Sequence, residues 1–108
     1  MAAPSDNETW LIEAGDEVIE KKSMSGMEGL SAGERLIYCL WVADYSMRNG
    51  GDLMAGADLY PPFYAEAAQL SDALGLWFTA DTFALPKDEF QRHYFDRFER
   101  ICDEVRSS

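Results

Sequence analysis

The stretch that most constrains the fold is Glu34 to Gly51, ERLIYCLWVADYSMRNGG, which is apolar on nearly every side and closes on Asn49-Gly50-Gly51. At about 100° per residue, Leu36, Ile37, Leu40, Trp41, Tyr45 and Met47 cover a broad arc of a helix. Tyr38, Cys39, Val42 and Ala43 fill most of the remaining arc. A helix that is apolar all round has no face to offer water, so it predicts a buried central element with the rest of the chain packed around it. Its start is marked by Ser31 and Glu34, spaced as a capping box in which the serine oxygen accepts an orphan N–H and the glutamate reaches back. Its stop is marked by Asn49, Gly50 and Gly51, because a helix C-cap needs a residue that takes the left-handed conformation cheaply.

The flanking segments also have helical spacing. Ser5 and Glu8 form a second capping box, which predicts a first helix from about Glu8 to Met24, with residues 1–5 expected to be disordered. Leu11, Gly15, Val18 and Ile19 lie on one face of that helix. Glu13, Asp16, Glu17 and Glu20 fall within about 60° of one another on the opposite face, as an acidic stripe. Lys21, Lys22 and SMSGMEG then make a short connection. After Gly51, DLMAGADLY has room for at most a short helix or an irregular loop before Pro61-Pro62, which suit the first turn of the next helix.

That helix is expected to run to about Leu74, with Phe63, Ala67, Leu70 and Leu74 on one face, Ala65 and Ala68 allowing close approach, and Gly75 as its C-cap. Residues 76–85, LWFTADTFAL, lack clear periodicity, and a short helix is favoured there over a strand. From Pro86 to about Arg106, Phe90, Tyr94, Phe98, Ile101 and Val105 form one stripe, widened by Phe95 and Cys102. Arg92, Asp96, Arg100 and Glu104 alternate in sign on the other face, which is read as solvated. The fold class is therefore all-α, a single helical domain over residues 1–108 with about four or five helices around the central one. With 47% hydrophobic and 13% aromatic residues, a chain of 108 has ample material for one core.

Charge bounds the partners. Nine Lys and Arg against twenty Asp and Glu leave −11, which disfavours direct binding to nucleic acid or to an anionic membrane. The excess is concentrated. Residues 1–20 hold six acids and no base, and residues 49–86 hold Asp52, Asp58, Glu66, Asp72 and Asp81 and no base; the remainder balances at nine against nine. No stretch approaches the roughly 20 uninterrupted apolar residues of a membrane span, and the N-terminus lacks a signal-peptide layout, so a cytoplasmic protein is expected.

No catalytic or metal constellation stands out. His93, the single histidine, borders an apolar stripe without a nucleophile motif beside it and is read as structural. Asp44 lies between Ile37, Leu40 and Arg48, at the edge of the core. It is read as a structural carboxylate with Arg48 as its available partner, hydrogen-bonding the Asn49-Gly50-Gly51 turn or a neighbouring helix end. Cys39 and Cys102 sit on apolar faces and are read as buried free thiols rather than a disulfide or metal pair. The acids of residues 1–20 lack the ligand order of a calcium loop, and Gly50-Gly51 lacks the Lys and Ser/Thr of a phosphate loop. Neither a cofactor nor a metal is expected, and no enzyme.

The central helix ending in Asn49-Gly50-Gly51, the following PPFYAEAAQLSDALGL and the closing Asp88–Phe98 helix resemble a bacterial all-α family typified by a DNA-mimic protein, over about residues 28–105. Where members of that family carry aromatic residues straight after the glycines, this chain has Asp52-Leu53-Met54. The resemblance implies a protein whose surface carboxylates stand in for DNA phosphates and block the basic groove of a DNA-binding protein. On this reading the chain, a monomer or homodimer, inhibits or modulates a basic partner such as a regulator, nucleoid protein or nuclease. The contact surface would comprise Glu13, Asp16, Glu17 and Glu20 together with Asp52, Asp58, Glu66, Asp72 and Asp81. Two alternatives stand beside it: an immunity or phage-encoded inhibitor that neutralises a basic toxin or defence nuclease, and an uncharacterised hydrolytic or metal enzyme that would gather partners around Asp44 or His93.

Overall fold

Ser5 and Ser31 each accept the backbone N–H of the residue three positions on, Glu8 at 3.1 Å and Glu34 at 3.2 Å. Each glutamate accepts the serine N–H in return, at 2.6 and 2.8 Å. The helices that these capping boxes start are α1, Asp6–Ser25, and α2, Ala32–Gly50, in a computed structural model that describes residues 5–108. The disorder expected for residues 1–5 falls, for residues 1–4, outside the described residues; Ser5 itself is an ordered N-cap. A 3₁₀ turn, Met27–Gly29, joins the two helices.

Of the glycines that end α2, Gly51 is the one with a positive φ, 72°, and its N–H reaches the Met47 carbonyl at 2.9 Å; Gly50 remains helical. Beyond the turn lies a six-residue helix, α3, Met54–Leu59. The buried Ser46 hydroxyl ties it to α2, donating to the Asp52 carbonyl at 2.6 Å and accepting the Gly56 N–H at 2.9 Å. Pro61-Pro62 form the turn before α4, Phe63–Ala73, with Pro62 at the N-cap rather than inside the first turn.

Helix α4 ends in a Schellman motif: the Leu76 N–H bonds the Ser71 carbonyl at 2.9 Å, the Gly75 N–H bonds that of Asp72 at 3.1 Å, and Gly75 has φ 73°. Leu74, expected on the core face, is the cap residue at 38% exposure, because the helix turns away there. The favoured short helix in 76–85 is present as α5, Trp77–Phe83, and α6, Lys87–Arg106, closes the chain. The fold is all-α, with six helices among the described residues, in line with the four or five expected around a central one; the segments after Gly51 and after Gly75 each form a helix of their own.

Helix α2 lies between α1 on one side and α3 and α4 on the other, while α5 bridges α4 and α6. Leu36, Cys39, Leu40, Val42 and Ala43 are essentially inaccessible. Each fully buried large apolar side chain in such a core contributes ~1.5–3 kcal/mol. A Cβ at Gly15 would lie 2.3 Å from Trp41 Cδ1, so the glycine is what lets α1 approach α2. The central helix is not buried all round: Tyr45 is 43% exposed and stacks on the partly covered Trp41. On α6 the expected stripe is buried, except that Phe95 is 50% exposed, with the Arg48 guanidinium 5.2 Å from its ring centroid. Cys39 and Cys102 are buried free thiols, and burial pushes both up to about 12. Among the described residues no helix is long and apolar enough to cross a membrane.

Candidate functional site

The outer face of α1 follows from its sequence spacing. With Leu11, Gly15 and Val18 turned into the core, Glu13, Asp16, Glu17 and Glu20 must face away, and all four are exposed. None of their carboxylates takes part in an ion pair or accepts a hydrogen bond among the described residues. The nearest base in the chain, Lys21, is already held by both oxygens of Glu34 at 3.0 Å. Glu34 lies below the usual carboxylate range, first through the Ser31 backbone N–H and then through Lys21.

The second acidic block is not gathered beside this stripe. Its members sit on the α2–α3 turn, α3, α4 and α5, across α2 from α1. Three of them have partners within the chain, Asp81 through an ion pair with Arg97 at 3.3 Å. The Asp52 carboxylate accepts the Met54 N–H at 3.0 Å, at the start of α3. Glu66 is half-buried and accepts the Tyr60 hydroxyl at 2.5 Å through one oxygen, while its other oxygen is buried without a partner among the described residues. Asp58 is exposed on α3. Asp72 and Asp81, also exposed, face one groove between α4 and α5.

Asp44 is 8% exposed and is held by Arg48 Nε at 2.9 and 3.0 Å, as its spacing predicts, and by the buried Tyr94 hydroxyl at 2.7 Å. Its second partner is thus a side chain of α6, not the Asn49-Gly50-Gly51 turn or a helix end; Asn49 instead donates to the Tyr45 carbonyl at 2.7 Å. Arg48 also reaches Glu8 at 2.8 Å, so Glu8, Arg48, Asp44 and Tyr94 tie α1, α2 and α6 together. Burial raises the Asp44 carboxyl against the opposing pull of Tyr94 and Arg48, and burial followed by the Asp44 charge holds Tyr94 well above the ordinary phenol range. Every group in this network is occupied by another, which makes it a structural clamp. His93 is next to Tyr94 in the chain but meets Glu89 at 3.5 Å and is not a member of the clamp. No three His, Cys, Asp or Glu among the described residues are placed to hold a metal.

Two features escape a reading by spacing alone. Asn7 is buried, donating to Glu99 at 2.7 Å and Asp103 at 3.0 Å and accepting from Arg106 at 2.8 Å. Glu104, assigned to a solvated face, accepts the Phe78 and Thr79 N–H groups at 3.0 and 2.8 Å, capping the first turn of α5 from another helix. Arg100 of the same face lies over the Phe78 ring at 4.1 Å. Arg92, Asp96 and Arg100 remain exposed as expected, whereas Glu104 is drawn in because α5 packs against it, and nothing local to α6 signals that. No protein-family model, no curated protein and no solved structure matches the chain.

Proposed function

We propose that this is an acidic binding protein that occupies the basic surface of a nucleic-acid-binding partner as a DNA mimic, and so inhibits or modulates it. The observation that carries the reading is the outer face of α1, four exposed carboxylates without an ion-pair partner among the described residues. Glu13 and Glu17, and Asp16 and Glu20, stand four apart, a like-charge spacing that costs a helix about 0.2–0.5 kcal/mol per pair. The stripe thus brings no stability to the isolated fold, and a basic surface laid along α1 would relieve the repulsion. Carboxylates on successive turns repeat every ~5.4 Å, against ~3.4 Å for the phosphates of one DNA strand. The imitation is therefore one of field and shape, not of phosphate-by-phosphate register.

The partner is to be captured by affinity pull-down from the source cell and its binding followed across a salt series with DNA as competitor. Changing the four carboxylates together to Gln and Asn should weaken binding, most at low salt, because steering and rim contacts depend on ionic strength. Equal affinity of variant and parent at every salt concentration would reduce the stripe to a solvated face. Simultaneous binding of DNA and this protein to the partner would rule out mimicry.

A further inference from the structure

We infer that the groove between α4 and α5 receives an arginine side chain of the partner; the partner's basic character rests on the function proposed above. The two helices form a hairpin around the Gly75 turn. Ala68 and Asp72 stand four apart on α4, and Trp77, Ala80, Asp81 and Ala84 fall on one face of α5, so the two faces line one groove of about 380 Å³. Three alanine methyls leave the floor open. Trp77 supplies a wall and stays 65% exposed, the most exposed aromatic ring of the chain's described residues. Asp72 and Asp81 face the same groove; the stretch 49–86 that builds it contains no Lys or Arg, but α6 brings Arg97 to Asp81 at 3.3 Å, so Asp72 is the carboxylate that supplies unpaired negative charge among the described residues.

The chemistry of the occupant follows from these parts. An aromatic face beside carboxylates favours a cation and opposes an anion, and a planar guanidinium satisfies both by stacking on the ring while its N–H fork reaches oxygen. Two of these groups already meet arginines of α6. The Arg100 guanidinium lies 5.1 Å from the Trp77 ring centroid, and Arg97 lies 5.1 Å from that of Phe78 while bonding Asp81 at 3.3 Å. Asp72 enters no ion pair among the described residues and remains for an incoming arginine. Trp and Arg dominate the few contacts that carry most of an interface's energy, which suits such a groove to anchoring one residue.

The test titrates the ¹⁵N-labelled full chain with a blocked peptide of alternating glycine and arginine, and with its lysine counterpart, by NMR. The expected result is a saturable shift of the Trp77 indole N–H, with binding about threefold tighter for the arginine peptide, the scale of an exposed cation–π contact. Trp77→Ala and, separately, Asp72→Asn should each weaken binding, read on the Ala80 and Ala84 amides, by a similar factor; both side chains are exposed and leave the fold intact. If the Trp77 indole stays still while the amides of Glu13–Glu20 move, the groove assignment falls and the acidic-surface reading stands. If Trp77 moves and the α1 amides do not, the groove stands and the stripe loses its role. Equal binding of the two peptides with no effect of Trp77→Ala overturns the groove, and silence at both places overturns both.

Discussion

Helices α1 and α6 are both twenty residues long and both rich in acids, yet they use them in opposite ways. On α6, Glu99 and Asp103 hold Asn7, Glu104 caps α5, and Glu89 faces Arg92 at 3.3 Å. On the outer face of α1, the carboxylates of Glu13, Asp16, Glu17 and Glu20 hold nothing among the described residues. The difference is one of neighbours. Helix α6 is flanked by α1 and α5, whose orphan N–H and amide groups need acceptors, whereas the outer face of α1 has no helix across from it. A count of charges cannot separate a carboxylate that the fold consumes from one that it leaves over, and only the latter is available to a partner.

The contrast is open to experiment, beginning with the carboxylate most deeply consumed. Asp44→Ala would leave the buried Tyr94 hydroxyl without its acceptor and Arg48 with Glu8 alone, and breaking a buried charged pair costs about 3–5 kcal/mol, so urea denaturation should show a loss near 3 kcal/mol. A loss under 1 kcal/mol would show that the clamp between α2 and α6 is dispensable. Glu104→Ala removes the cap on Phe78 and Thr79 and should cost about 1–2 kcal/mol, with faster amide hydrogen exchange at both residues as its local signature. Unchanged exchange there would place Glu104 back on a solvated face.

A pH effect separates the two kinds of acid further. Burial raises Asp44 in the fold, so the folded state holds its proton more tightly than the unfolded chain. The corresponding stability is full below the ordinary value of 3.8 and is lost as pH rises through the raised folded value. Relative to Asp44→Asn, the parent should therefore lose stability as pH climbs out of that acid window, and parallel curves would contradict a strained carboxylate. Glu34 runs the other way: its lowered value gives stability that is present above 4.5 and lost as pH falls through the folded value. The smallest effect belongs to α1. Neutralising Glu13, Asp16, Glu17 and Glu20 together should leave the denaturation midpoint unchanged or raise stability by at most about 1 kcal/mol, through relief of like-charge pairs. A marked loss would mean that the stripe serves the fold after all.

The sequence by itself determined what is local. The capping boxes at Ser5 and Ser31, the left-handed residue after α2, the Gly75 stop and the core stripe of α6 were all legible, because each depends on groups within one or two turns of each other. The acidic face of α1 was legible for the same reason: helical spacing opposite Leu11 and Val18 suffices to expose it. Tertiary structure alone decided which carboxylates were left free. Glu104 meets the Phe78 N–H across 26 positions, Tyr94 meets Asp44 across 50 and Asn7 meets Glu99 across 92. It also decided that Phe95 stays half in water and that Trp77 stands beside Asp72 and Asp81. Such contacts depend on how whole helices are arranged, and that arrangement is set by the summed burial of many side chains, so no single spacing in the chain encodes it.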